Sequence, residues 1–171
     1  MLKIAEAPWQ SLQGEGGRSG QASIFVRLAG CNLSQKCRWC DTAYALGEGD
    51  EIEEQEILEK IKEFNNKWVV ITGGEPFFQD IHKLCTLLKD VGYKIQIETN
   101  GTLLVAEETL SLIDWITVSP KRGEPMVVPY YLNLKELKYV VDEEFKLGEI
   151  VRNPPCPVYL QPEGNKKKMV E

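Results

Sequence analysis

The chain has 171 residues, of which 43% are hydrophobic and 27% charged, enough for one sizeable core and too few for two comfortable domains. Its formal net charge of −6 argues against a broad nucleic-acid surface, which would need an excess of Lys and Arg. The opening residues lack a signal-peptide core, and no apolar run reaches the roughly 18 residues of a membrane span. We therefore expect a single cytoplasmic domain over residues 1–171, with no direct nucleic-acid or membrane partner.

Six strands and three helices are predicted in chain order. Residues 1–21 are expected to form an extra loop or hairpin, in which LQGEGGRSG supplies flexible backbone. The strand-like runs are residues 22–28, 68–72, 94–98, 115–118, 137–141 and 158–160. Several are continuously apolar, which is typical of parallel strands covered on both faces. Amphipathic patterns predict helices over residues 53–65, 80–91 and 107–113.

The connections 120–136 and 142–157 are rich in proline and show no long helical period, and residues 163–171 form a short charged tail. The whole pattern predicts an α/β protein whose fold is an incomplete, TIM-type β/α barrel. We expect about six mostly parallel strands and about three main helices.

Three cysteines, Cys31, Cys37 and Cys40, are spaced C-x5-C-x2-C. In a reducing compartment they indicate a metal site rather than disulfides. Zinc sites and iron-sulfur clusters normally have four protein ligands, so one coordination position is left open. The spacing alone supports a 4Fe-4S cluster and a zinc site about equally. Cys85 lies on an apolar helix face and is expected in the core, whereas Cys156 carries no functional signal.

Unusual polar motifs follow the predicted strands at the point where each strand ends. They are GCNLSQKC after the first strand, GGEP after the second, TNG after the third, SPK after the fourth and QP after the sixth. In β/α barrels the loops at the C-terminal ends of the strands build the active site. We expect these five segments to meet at one mouth.

These motifs resemble those of the radical S-adenosylmethionine superfamily and, within it, of the 7-carboxy-7-deazaguanine synthase family. The matching strings span roughly residues 4 to 162; they are SLQGEG, FVRLAGCNL, CDT, TGGEP, ETNG, SPK and LQP. The resemblance implies a carbon-nitrogen lyase that contracts the ring of 6-carboxy-5,6,7,8-tetrahydropterin to 7-carboxy-7-deazaguanine, with loss of ammonia, in queuosine and 7-deazapurine biosynthesis. It also implies a 4Fe-4S cluster, S-adenosylmethionine and Mg²⁺ as cofactors, a flavodoxin or ferredoxin as electron donor, and a homodimer.

The same resemblance implies a role for individual residues. Three thiols would bind the cluster and Thr42 would bind Mg²⁺; the thiols are those of Cys31, Cys37 and Cys40. Residues implied for S-adenosylmethionine are Trp39, Asp41, Gly73, Gly74, Glu98, Asn100, Ser119, Pro120, Lys121 and Gln161. Residues implied for the pterin are Leu12, Gln13, Gly14, Glu15, Arg27 and Thr72, with Arg27 pairing with its carboxylate.

Structural alternatives stand beside several of these roles. Trp39 could be a packing residue, Gly73 and Gly74 could serve a tight turn, and Arg27 could form an ordinary salt bridge. Glu98 and Asn100 could each structure their own turn. The only histidine, His82, is expected to have a surface or structural role.

Two departures from the family pattern leave questions open. The cysteine loop is two residues longer than the C-x3-C-x2-C of many relatives, which is expected to affect ligation of the cluster little. The chain also ends sooner after Pro162 than many relatives do, so the way in which the substrate is enclosed is an open question. Two other functions remain as alternatives. One is a radical enzyme that activates a glycyl-radical partner protein, and the other is a non-catalytic, zinc-binding interaction module.

Overall fold

The structure is a computed structural model that describes residues 1–33, 37, 40, 42–127 and 133–165. Within these residues, one sheet of eight strands has the order β3-β1-β2-β4-β5-β6-β7-β8. The strands are β1 (Leu2–Leu12), β2 (Ala22–Leu28), β3 (Asp50–Ile52), β4 (Trp68–Gly73), β5 (Lys94–Thr99), β6 (Trp115–Val118), β7 (Leu134–Val141) and β8 (Val158–Pro162). The helices are α1 (Glu54–Lys62), α2 (His82–Asp90) and α3 (Glu107–Leu110).

Six consecutive strands, β2 and β4 to β8, run parallel to one another in chain order. They are the six strands predicted from sequence. β3 and β8 lie at opposite edges and do not pair, so the sheet curves without closing. The prediction of an incomplete β/α barrel is therefore confirmed.

The residues before the first predicted strand form a hairpin, which was one of the two predicted possibilities. β1 pairs antiparallel with β2, with Trp9 opposite Phe25 and Leu12 opposite Ala22. Two register shifts within β1 interrupt the alternation of inward and outward side chains, and this obscured the strand in the sequence. The short strand β3 was not predicted, because its three residues carry no apolar pattern and it exists only by pairing with β1.

The two faces of the parallel strands differ sharply in chemistry. On β7, Leu137 and Tyr139 pack into the apolar core, whereas Glu136 and Lys138 are buried on the opposite face. Side chains alternate between the two faces of a strand, so the same division recurs on neighbouring strands. Ile95 and Ile97 of β5, for example, are fully buried in the core. The inner face of the barrel is consequently polar, and the apolar core lies outside it under the helices.

The helices cover the outer face of the sheet and begin close to their predicted positions. The apolar stripe of α1, which includes Ile57 and Ile61, is fully buried, and burying each such side chain stabilises the fold by about 1.5–3 kcal/mol. Cys85 of α2 is fully buried in the core, as predicted. Val91, the residue after α2, is 41% exposed because the helix ends at Asp90.

His82 has the structural role that was expected of it. Its Nδ1 atom lies 3.1 Å from the hydroxyl oxygen of Thr109, so the imidazole links α2 to α3. In the described part of the chain, no helix combines the length and the apolar character that a membrane span requires.

Candidate active site

A cavity of about 480 Å³ opens at the C-terminal ends of the parallel strands, a size typical of small-molecule sites. The structure brings the five predicted segments together around it. Predicted site residues that line it are Leu12, Gln13, Gly14, Glu15, Arg27, Cys31, Cys37, Cys40, Thr42, Thr72, Gly73, Gly74, Glu98, Asn100, Ser119, Lys121 and Gln161. Pro120 does not line the cavity. Trp39 and Asp41 lie outside the described residues.

The three clustered thiols all line this cavity, and all are partly exposed. The backbone N–H of Leu33 donates a hydrogen bond to the sulfur of Cys31 at 3.4 Å, a contact that tunes the potential of iron-sulfur sites. Burial raises the pKa of Cys31 and that of Cys37. Among the described residues, no three cysteine, histidine or carboxylate side chains are already arranged to hold a metal ion. The three cysteines therefore share one cavity.

The glycines of the GGEP motif are required by a close approach of two chain segments. A Cβ atom on Gly73 would overlap the backbone of Leu28, and one on Gly74 would overlap the carbonyl oxygen of Gly30. Gly73 also has a φ of 131°, a conformation that favours glycine. The backbone N–H groups of Gly74 and Glu75 donate to the carbonyls of Leu28 and Gly30. Both glycines thus hold the loop of Cys31 against the end of β4, a structural role different from the tight turn considered for them.

A buried carboxylate organises the loops beside the cysteines. Glu75 is fully buried and accepts hydrogen bonds from the Thr99 hydroxyl and the Asn100 N–H, both at 2.7 Å. The Asn100 side chain donates to the side-chain oxygen of Asn32 at 3.0 Å and accepts two bonds from Thr102. Asn100 therefore structures its own turn, and through Asn32 it holds the residue next to Cys31.

Ser119 and Lys121 form a local pair after β6. The ammonium of Lys121 donates to the carbonyl and to the hydroxyl oxygen of Ser119, at 2.7 and 2.8 Å. Burial lowers the pKa of Lys121, while the neighbouring Cys37 thiol acts in the opposite sense. The pair places one cation and one hydroxyl on the cysteine side of the cavity.

Arg27 lies on the opposite side, between two aromatic rings. Its guanidinium carbon is 5.2 Å from the ring centre of Trp9 and 5.6 Å from that of Tyr44. Its Nε donates to Glu6 at 2.6 Å and its Nη1 to the Thr42 hydroxyl at 3.4 Å. The salt bridge considered as an alternative is therefore present. Arg27 also lines the cavity, so it can hold Glu6 through one edge and meet an anionic ligand with the other.

Glu98 is surrounded by residues expected to bind the substrate. Its carboxylate accepts from the Gln13 side chain at 2.8 Å and from the Thr72 hydroxyl at 3.2 Å. Lys138, from β7, lies 3.8 Å from the same carboxylate and pairs with Glu15. The resemblance had implied a cofactor role for Glu98, but its contacts within the described residues connect it to the substrate-binding set.

The loop between β1 and β2 is tied down rather than flexible. The Gly17 N–H donates to Glu136 at 2.6 Å, and a Cβ atom on Gly16 would overlap the same carboxylate. Arg18 is 3% exposed, and its guanidinium carbon lies 3.4 Å from the ring centre of Trp68 at the other end of the barrel. The loop therefore fills the barrel interior and forms the floor of the cavity.

Several lining residues were missed in the sequence. Among them are Trp9, Phe25, Tyr44, Lys138, Val140, Glu163 and Gly164. Trp9 and Phe25 are stacked, with ring centres 5.3 Å apart, and form an aromatic wall. A signal for Lys138 did exist, since Glu136 and Lys138 alternate with the apolar residues Leu137 and Tyr139. Such a pattern marks a strand with one polar face.

Comparison with known proteins agrees with this geometry. The sequence matches the Radical SAM superfamily over residues 26–145. A 7-carboxy-7-deazaguanine synthase of Aquifex aeolicus is 41% identical, over 95% of this chain and 78% of its own length. The chain belongs to the 7-carboxy-7-deazaguanine synthase family. A synthase of the same name from Synechocystis is 34% identical over 98% of the chain and 81% of its own length. The crystal structure of QueE from Escherichia coli matches with a TM-score of 0.74 and 28% identity, over 99% of this chain and 86% of that one.

Membership of the 7-carboxy-7-deazaguanine synthase family decides between the alternatives that the cysteine spacing left open. Radical SAM proteins carry a 4Fe-4S cluster with S-adenosylmethionine, and a set of three soft thiolate donors beside an open cavity fits that group. The zinc-binding module and the activase of a glycyl-radical protein find no support in the matches described above.

Proposed function

We propose that this protein is a 7-carboxy-7-deazaguanine synthase. In this reaction 6-carboxy-5,6,7,8-tetrahydropterin loses ammonia and its ring contracts to 7-carboxy-7-deazaguanine, a precursor of queuosine and other 7-deazapurines. The observation that carries the proposal is that three thiols, an arginine and a hydrogen-bonded carboxylate line one cavity in a chain 41% identical to a synthase of that name. The thiols offer a metal site, the arginine offers a partner for an anion, and the carboxylate offers an acceptor for ring N–H groups.

The three cysteines would hold the 4Fe-4S cluster through their thiolates. S-adenosylmethionine would lie against the ends of β4 and β6, where the backbone of Gly73 and Gly74 and the pair Ser119 and Lys121 line the cavity. Trp39 and Asp41 complete the proposed set, with Glu98, Asn100, Pro120 and Gln161 as further candidates. Cluster and S-adenosylmethionine together supply one-electron radical chemistry for removing a hydrogen atom from the substrate.

The substrate would bind between Arg27 and Glu98. Arg27 offers N–H donors to the substrate carboxylate, with the Trp9 ring beside its guanidinium. Glu98, held by Gln13 and Thr72, offers oxygen acceptors to the amino group and the ring N–H of the pterin. Leu12, at the end of β1, and Gly14, beside Gln13, would contact the ring. These residues orient the substrate and exclude water from the reacting carbon.

Mg²⁺ would bind beside the substrate carboxylate, with the Thr42 hydroxyl as a protein ligand. Mg²⁺ prefers oxygen ligands in octahedral geometry and usually keeps several waters. The Thr42 hydroxyl accepts from Arg27 Nη1 at 3.4 Å, so a carboxylate bound to Arg27 would lie beside this hydroxyl. The metal and Arg27 would together fix the carboxylate during the ring contraction.

We also propose a cytoplasmic homodimer that receives electrons from a flavodoxin or a ferredoxin. The dimer would cover the edge of the sheet at β8, where Leu160 is 49% exposed. Residues 166–171, which follow, lie outside the described residues.

The experiment that tests the proposed function is product analysis by mass spectrometry. The protein is reconstituted anaerobically, reduced, and incubated with S-adenosylmethionine, Mg²⁺ and 6-carboxytetrahydropterin. We expect 7-carboxy-7-deazaguanine in amounts exceeding the enzyme. Cys37→Ala should bind less iron and sulfide and form no product, whereas Cys85→Ala, at the core cysteine, should keep its cluster. Formation of 5′-deoxyadenosine and methionine alone would contradict the assignment of the substrate.

A further inference from the structure

Lys138 occupies an unusual position for a lysine. Its side chain is 7% exposed and lies on the inner face of β7, where it lines the cavity. The ammonium is 2.5 Å from the Glu15 carboxylate and 3.8 Å from the Glu98 carboxylate. These two partners come from different parts of the chain, the β1–β2 loop and the end of β5. One buried cation therefore joins the floor of the cavity to its wall.

The ammonium stays charged in spite of its burial. Burial alone would lower the pKa of Lys138, but Glu98 and Glu15 raise it to about 12. A buried lysine without such partners would lose its proton. The three groups thus form one ionised cluster, and removing the cation would leave two carboxylates that repel each other.

The two carboxylates remain accessible from the cavity. The side chain of Glu15 is 36% exposed and that of Glu98 is 20% exposed, and both line the cavity. An ionised carboxylate has about four acceptor positions; Lys138 occupies one on Glu15 and faces Glu98 as an ion pair at 3.8 Å. The Gln13 amide donates to Oε1 of Glu98, and the Thr72 hydroxyl donates to Oε2, the oxygen nearest Lys138. Lys138 therefore fixes the orientation of the Glu15 and Glu98 carboxylates, which face the cavity as hydrogen-bond acceptors.

We propose that Lys138 is a positioning residue for the pterin ring: it holds Glu15 and Glu98 as the acceptors that read the 2-amino and N3–H groups of a 2-amino-4-oxopyrimidine. This inference rests on the proposed function, from which the substrate class comes. Two adjacent N–H donors on a planar ring match carboxylate oxygens in the way that a guanidinium does. In this arrangement Lys138 acts through the carboxylates, while Arg27 serves the substrate carboxylate.

A pair of ligands separates this role from direct binding of the substrate carboxylate by Lys138. Pterin and 6-carboxypterin share the 2-amino-4-oxopyrimidine edge and differ only in the carboxylate. Their dissociation constants are measured by calorimetry on the reconstituted holoenzyme, without turnover. Lys138→Met should weaken both ligands by the same factor, about tenfold or more, as expected for lost charge-assisted hydrogen bonds. Arg27→Met should weaken 6-carboxypterin selectively.

Lys135→Met is the matched control, because Lys135 lies on the same strand with an exposed side chain, and it should bind both ligands as the wild type does. Lys138→Met combined with Glu15→Gln relieves the carboxylate repulsion. This double variant should recover thermal stability lost by the single variant without recovering affinity. That result separates loss of positioning from loss of folding.

Three results would overturn the inference. They are a loss confined to 6-carboxypterin, unchanged affinity for both ligands in Lys138→Met, and a wild type that binds neither pterin. The proposed function is judged separately by product formation in the wild type. A wild type that binds pterins but forms no 7-carboxy-7-deazaguanine would refute the function, while the binding series would still decide the role of Lys138.

Discussion

The carboxylate of Glu75 accepts the hydroxyl hydrogen of Thr99 at 2.7 Å, and this contact joins the loop after β4 to the end of β5. Glu75 also accepts the N–H of Asn100 at 2.7 Å and that of Phe77 at 3.1 Å. Burial raises the pKa of Glu75, and these hydrogen bonds oppose the rise. One buried carboxylate thus fixes two of the segments that surround the cysteines.

Glu75→Ala should destabilise the protein strongly, because three donors inside the fold lose their acceptor. We expect a loss of about 3 kcal/mol or more in the free energy of unfolding, measured by urea denaturation. Glu75→Gln keeps one acceptor oxygen, so its free energy of unfolding should fall less than that of Glu75→Ala. Glu48→Ala, at an exposed glutamate, is the control and should change the stability little. A stability of Glu75→Ala equal to that control would show that the hydrogen bonds are not important for folding.

Gly74→Ala should strain the contact between β4 and the cysteine loop. The added Cβ would overlap the carbonyl oxygen of Gly30 and lie 3.1 Å from the Cβ of Cys31. We expect a loss of about 1–3 kcal/mol, typical of an overpacked site, together with a lower iron content after reconstitution. Gly148→Ala is the matched control, since its added Cβ meets nothing within 4 Å. If both variants matched the wild type, the close approach would not constrain the loop.

Arg27→Gln should raise the KM for the pterin through two effects. The substrate carboxylate loses its cation, and Glu6 is left without its counter-charge. Glu6, which Arg27 neutralises at 2.6 Å, would then repel the substrate carboxylate. The double variant Glu6→Gln with Arg27→Gln should therefore show a lower KM than Arg27→Gln. Steady-state kinetics at constant Mg²⁺ measure the difference. A double variant with the higher KM would show instead that Glu6 assists binding by another route.

Glu54, at the first position of α1, should make the stability dependent on pH in the acid range. Burial alone would raise its pKa, but hydrogen bonds from its own backbone N–H and from Lys83 lower it from 4.5 to about 2. The folded-state pKa is depressed, so this stabilisation is present above about pH 4.5 and is lost as the pH falls toward 2.

Denaturation of the wild type and of Glu54→Gln at a series of pH values tests this expectation. The difference between them should be largest above pH 4.5 and should shrink toward pH 2. Glu63→Gln, at an exposed position of the same segment, should follow the wild type throughout. A difference that grew toward acid would contradict the sign of the effect.

Thr42→Ala should weaken the response of turnover to Mg²⁺, because the hydroxyl is the proposed ligand. Thr42→Ser keeps the oxygen and should retain most of the response. The measurement is the rate as a function of Mg²⁺ concentration after treatment with a chelator. An unchanged metal dependence in Thr42→Ala would remove the residue from the proposed site, whereas equal losses in both variants would indicate a role in the shape of the loop.

The sequence determined the parallel part of the fold and the place of the site. Apolar runs such as residues 68–72 and 94–98 are buried on both faces when they form covered parallel strands. This pattern is local, so it can be recognised in the sequence. The motifs GGEP and SPK follow those strands, and the parallel topology brings them to one edge. The assignment of Cys85 to the core and of His82 to a structural role was also correct.

Only the tertiary structure decided what the polar residues do with one another. It placed Lys138 between Glu15 and Glu98, which are 123 and 40 residues away in the chain. It also placed the glycine-rich β1–β2 loop at the floor of the cavity. The close backbone contact that requires glycine at positions 73 and 74 is likewise visible only in the structure. Ion pairs and close approaches depend on distances between segments far apart in sequence, and no local pattern of residue types encodes those distances.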